Sequence, residues 1–209
     1  MRTMANFPDE SLCRQLMDRY SMLPNIVEHS YRVCQVASFL GRSLSRQKQD
    51  LDPALIVAAS LLHDITKTRS LKTKEDHAAT GGRLLEDLGY PQVAEVVRGH
   101  VRLAAGDSLH PLREVHIVNY ADKRVRHDTV VSLEERFIDL MERYGKTSER
   151  RIRLEQMRET ALELERNIFR RIEPTADDLQ AFNSLPPFEL ETLPPQLAHG
   201  LQHLSRETM

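Results

Sequence analysis

The residues of this chain that could do chemistry are histidines and aspartates set into otherwise apolar stretches. His63 and Asp64 close a run in which residues 53–62, PALIVAASLL, offer only Ser60 as a polar side chain. His29 lies one helical turn before Val33, and His77 shares a face with Gly81, Leu84, Leu85 and Leu88. His100 follows Val93, Val96 and Val97, while Asp122 aligns with Val115, Val118 and Val125. An imidazole or carboxylate buried among such neighbours costs several kcal/mol unless it is paired, hydrogen-bonded or bound to a metal. Repeated use of that placement points to a metal site. Imidazole nitrogen with carboxylate oxygen suits divalent iron, manganese, cobalt, nickel or zinc, and a carboxylate beside an imidazole can bridge two ions. A second doublet, His127-Asp128, has no apolar run before it and reads as a solvated loop or helix start. His110 and His116 read as surface residues, and His199 and His203 as tail residues.

The elements that must position these side chains all read as helix, because no stretch alternates apolar and polar residues long enough for a strand. The first long helix runs from about Pro24 to Arg46, with Ile26, Val33, Cys34, Ala37, Leu40 and Leu44 as its stripe. A second starts with Asp52 as N-cap and Pro53 at the first helical position, and its nearly unbroken apolar run belongs at the centre of the domain. A third spans about Glu75 to Leu88 and stops at Gly89; its Gly81-Gly82 pair permits close backbone approach. A fourth begins at Pro91, and a fifth at about Pro111 after the loop RLAAGDSLH. The segment LEERFIDLMERYG beyond Ser132 and the stretch Arg150 to Ile172 give two further amphipathic helices, expected outside the core. After Glu173, recurrent prolines predict an extended strap or partly mobile end. The expected organisation is an N-terminal helical segment (1–21), a central helical domain (22–145) and a C-terminal helix with its tail (146–209).

The central pattern resembles the HD superfamily, whose signature is a His, a later His-Asp doublet ending a buried helix, and a distal Asp. Here EHSYRV, ASLLHDITK and NYADKRV place them at His29, His63, Asp64 and Asp122. Members that hold two metals add two histidines, matched by His77 in DHAATGG and His100 in VRGHV. The resemblance covers about residues 22 to 145 and implies an all-α HD-domain bundle with additional C-terminal helices. It further implies one or two divalent ions, iron or manganese favoured, with cobalt, nickel and zinc as other choices. His29, His63, Asp64 and Asp122 would hold one ion, and Asp64 would bridge to a second held by His77 and His100. The implied activity is hydrolysis of a phosphate ester or anhydride, nucleotide-type substrates favoured, by a metal-bridging hydroxide. Lys67 resembles the lysine that follows the doublet in the family and would act with Asp64 on the substrate phosphate. The stretch ADKRVRHD resembles that around the distal Asp in bacterial members that cleave dinucleoside tetraphosphates. It makes Lys123, Arg124 and Arg126 candidate clamps, with helical spacing favouring Arg126. Val101 departs from that subfamily, which carries a threonine there.

Two other readings use the same residues: a di-iron oxygenase acting on a small phosphonate or polyol, and a non-catalytic sensor or binding module. Composition narrows the partners. A net charge of −2 without a sustained charged block argues against nucleic-acid or membrane binding by bulk charge. The absence of an apolar run of membrane-spanning length or a signal-peptide layout points to the cytoplasm. Cys13 and Cys34 form no CxxC and read as plain buried thiols. The expected partner is a small phosphorylated molecule, and the Arg150–Ile172 helix could serve a homodimer or pack on its own domain.

Overall fold

The computed structural model describes residues 7–104, 106 and 108–202, with side chains to residue 198, so the readings for His199 and His203 fall outside what is described. The regular structure of the described chain is almost all helix, as the spacing of its apolar residues requires. In order come α1 (Glu10–Arg19), α2 (Pro24–Arg46), α3 (Pro53–Leu62), α4 (Lys67–Thr73), α5 (His77–Asp87), α6 (Pro91–Gly99) and α7 (Glu114–Lys123). A hairpin of β1 (Val125–Arg126) and β2 (Thr129–Val130) follows. Then come α8 (Leu133–Tyr144), α9 (Ser148–Phe169), a 3-10 helix over Asp177–Ser184, and α10 (Pro195–Gln202). No described helix is long and apolar enough to cross a membrane.

Helix starts follow local chemistry. Asp52 and Asp76 accept the first free N–H groups of α3 and α5, and Pro53 and Pro91 open α3 and α6 where no donor is required. α7 begins three residues later than Pro111 suggests, because Arg113 is extended.

Two apolar clusters share α2 as a common wall. Ile26, Tyr31 and Cys34 face a cluster built with α1, α3, α5 and α6, whereas Val36, Leu40 and Leu44 face one built with α7, α8 and α9. α3 is buried along most of its length, as its composition demands. The expectation that the last two long helices lie outside the core is corrected: Leu133, Phe137, Leu154, Ala161, Leu164 and Ile168 are core residues. Each leucine, isoleucine or phenylalanine among them contributes roughly 1.5–3 kcal/mol by its burial, which an outlying helix could not gain. α9 thus buries its own stripe within this chain. The glycine pair meets its expectation, since a Cβ at Gly81 would sit 3.2 Å from Val97 Cγ1 and one at Gly82 3.1 Å from the Ala94 carbonyl, which brings α5 against α6.

The tail docks rather than drifting. Arg32, buried on α2, donates to the carbonyls of Phe182 and Leu185, and Gln35 donates to those of Pro186 and Glu189. Leu179 and Phe182 seal the contact from the apolar side.

Candidate metal centre

His29 comes from α2, His63 and Asp64 from the end of α3, His77 from the start of α5, His100 from the end of α6 and Asp122 from α7. The chain brings all six together. Asp64 Oδ1 lies 3.1 Å from His77 Nε2 and 3.5 Å from His100 Nε2, while its Oδ2 lies 3.7 Å from His63 Nε2. Asp122 Oδ1 sits 3.1 Å from His29 Nε2 and 3.8 Å from His63 Nε2. Two ion-sized groups of donors emerge, His29 with His63 and Asp64, and Asp64 with His77 and His100, so Asp64 belongs to both.

Backbone carbonyls set which nitrogen each imidazole offers. Nδ1 of His63, His100 and His29 donates to the carbonyls of Ser60, Val97 and His127 at 2.7, 2.6 and 2.7 Å. The lone pair of each ring is therefore on Nε2, facing the carboxylates. His63 Nε2 is fully buried and lacks a hydrogen-bond partner among the described residues, which is the condition of an atom shaped to bind an ion. Burial pushes the His63 imidazole down to about 3 and lowers His77 as well, so both present neutral nitrogen near pH 7. Burial opposes ionisation of Asp64, but Lys67 and the neighbouring imidazoles outweigh it and hold the carboxyl well below its ordinary range. Asp122 is held low in the same way by Lys123 and His29 against its own burial. Neutral imidazoles beside ionised carboxylates are the donor states a divalent cation needs.

The centre opens into a cavity of about 560 Å³ that Lys67, Lys74, Arg136, Arg143, Leu71 and Tyr144 also line. A second cavity of about 810 Å³ meets it at Val101, Lys123 and Met157, which line both.

The predicted clamps separate into three kinds. Lys67 lies at the site, its Nζ 3.2 Å from His77 Nε2 and 3.5 Å from Asp64 Oδ1. Lys123 is buried behind it and donates to Asp122 Oδ2 at 2.7 Å and the His100 carbonyl at 3.0 Å, so its charge is committed to Asp122. The reading of Arg126 fails because α7 ends at Lys123: Arg126 is a strand residue and does not line the cavity. Arg124 also faces away, donating to the Val131 and Ala176 carbonyls, to Tyr120 Oη at 2.7 Å and to Glu165 Oε2 at 3.0 Å.

Three further results differ from or add to the expectations. His116 is fully buried, not on the surface, and its Nδ1 accepts from the Arg113 N–H at 3.0 Å. His127-Asp128 is the turn of the β-hairpin, with His127 left-handed at φ 57°; its two carbonyls hold His29 Nδ1 and Arg32 Nε. Arg136 and Arg143 are not among the sequence-predicted residues, because α8 reads as an outer helix. The signal was present as two arginines seven residues apart, on the face shared with Leu140.

A family model for the HD domain matches residues 26–173. A crystal structure of a predicted HD superfamily hydrolase from an uncultured Thermotogales bacterium is similar at 21% identity, over 80% of this chain and 95% of that one, with a TM-score of 0.44.

Proposed function

The chain belongs to the HD-domain family, and from that premise we propose that it is a metal-dependent phosphohydrolase acting on a phosphate ester or anhydride, with nucleotide-type substrates favoured. The observation that carries the reading is Asp64, whose two oxygens reach His63 on one side and His77 and His100 on the other, beneath a cavity edged with cations. The donor set fits one or two divalent ions, iron or manganese first and cobalt, nickel or zinc next. Bound there, such ions supply Lewis acidity toward a phosphoryl oxygen and lower the pKa of water.

The chain's own groups do the rest. The carbonyls of Ser60, Val97 and His127 orient three imidazoles, and Lys123 fixes the free oxygen of Asp122. Lys67, about a third of its side chain exposed, offers its ammonium to an incoming anion beside Asp64. Neither cysteine serves as nucleophile, because burial raises the Cys34 thiol to about 12 and keeps Cys13 protonated too.

The test is elemental analysis of the purified protein together with a hydrolysis screen over nucleotides and simple phosphomonoesters with manganese, iron, cobalt and nickel. Asp64→Ala should lose bound metal and activity together; a metal-replete, active variant would place the centre elsewhere. Oxygen uptake on a phosphonate or polyol without phosphate release would replace hydrolysis by oxidation.

A further inference from the structure

α8 presents a face to the cavity that the metal centre does not need. Arg136, Leu140, Arg143 and Tyr144 recur at four-, three- and one-residue steps, which is one side of a helix, and all four line the cavity. Asp139 stands between the two arginines and accepts from both, from Arg136 Nη1 at 3.1 Å and Arg143 Nη1 at 3.4 Å. One carboxylate thus steadies two guanidinium groups without neutralising both. Arg136 Nε is buried and has no hydrogen-bond partner among the described residues, although its side chain retains 12% of its exposure. A buried guanidinium N–H with nothing to donate to is costly unless an acceptor arrives. Lys67 on α4 and Lys74 just beyond it lie around the same cavity, so its open part is cationic while its anions, Asp64 and Asp122, both lie against the clustered imidazoles.

We infer that Arg136 and Arg143 form a second anion subsite, held in place by Asp139, that takes a phosphate other than the one at the metal centre. The inference rests on the phosphohydrolase reading and narrows its substrate class to molecules with two or more linked phosphates. Guanidinium forks suit that task, because each can make two parallel hydrogen bonds to neighbouring phosphate oxygens. A simple monoester engages the metal centre and Lys67 only. Tyr144, 45% exposed and next to Arg143, leaves an apolar surface at the rim for the organic part of such a substrate.

The experiment uses the full chain loaded with manganese and compares inorganic pyrophosphate with orthophosphate as inhibitors of p-nitrophenyl phosphate hydrolysis. A charge-assisted subsite predicts that pyrophosphate inhibits at a concentration roughly tenfold or more below orthophosphate. Arg143→Ala and Asp139→Asn should each collapse that advantage while retaining metal by elemental analysis. Ile138→Ala, on the exposed side of the same helix, should keep it. Equal inhibition by the two anions in the unmodified protein, or an intact advantage in folded Arg143→Ala, overturns the subsite. If the unmodified protein hydrolyses no phosphate ester, the functional reading fails separately. Equilibrium dialysis of labelled pyrophosphate against the protein and Arg143→Ala then decides the subsite alone, with equal binding counting against it.

Discussion

Lys123 shows how one side chain can be assigned opposite roles by the same residue type. A clamp would have to leave the interior to meet substrate, yet its ammonium is buried and bonded to Asp122 and the His100 carbonyl. Burial lowers its pKa, and Asp122 opposes that fall, so each charge depends on the other. Removing the amine should leave Asp122 Oδ2 unsupported and loosen the ligand. Groups that orient ligands in this way are worth about 10–100-fold in metal affinity. Lys123→Met is therefore expected to weaken manganese binding by that order, measured by competition with a chelator. A variant with unchanged metal affinity and a raised KM would restore the clamp. The clustering of the six residues was legible from sequence because setting six ionisable groups on apolar faces demands a common reason, and His63, Asp64, His100 and Asp122 are buried. Arg126 was not legible for the opposite reason, since its placement depends on where α7 stops, and no glycine or proline marks that boundary.

At the level of elements, the starts at Pro24, Asp52 and Pro91 were readable to within a residue, whereas α5 starts two residues after the expected Glu75 and α7 three residues after Pro111. The rank of α8 and α9 was not, because amphipathic stripes state that a face is buried without naming its partner. What locks these helices to the centre is Arg124 at the end of α7. Its guanidinium joins Tyr120 and Glu165 and reaches the carbonyls of Val131 and Ala176, so one side chain ties α7, the residue after β2, α9 and the tail together. Tyr120 stays protonated: burial raises it strongly, with Glu165 acting in the same direction, and its Oη donates to Glu165 at 2.6 Å. Breaking a buried ion pair from one side costs about 3–5 kcal/mol, and the partial exposure of Glu165 places Arg124→Met at the low end of that range. Urea unfolding of the metal-free protein measures the loss, and a change within error would mean that the network is ornamental to stability.

Over the whole molecule, the same buried groups set the response to acid. A histidine in the unfolded chain titrates near 6.5, whereas His63 in the fold is pushed down to about 3. Between those values the unfolded chain binds a proton that the folded chain refuses, so stability falls as pH drops below about 6.5. Asp64 and Asp122, held below the ordinary carboxylate range, extend the loss in the same direction at lower pH. The Tm of the metal-free protein should be level near pH 7 and above, then decline steadily toward pH 4. A Tm that holds constant across that interval would contradict the burial of neutral His63. The tail adds a constraint of another kind. Arg32 supports the turn whose neighbouring carbonyl orients His29, yet two of the acceptors that satisfy Arg32 belong to Phe182 and Leu185. All six side chains of the proposed centre leave the ribosome before those carbonyls are made. During synthesis the centre is therefore assembled from residues already present but completed only by a late segment, and a nascent chain halted beyond α9 carries every ligand without the support that finishes their arrangement.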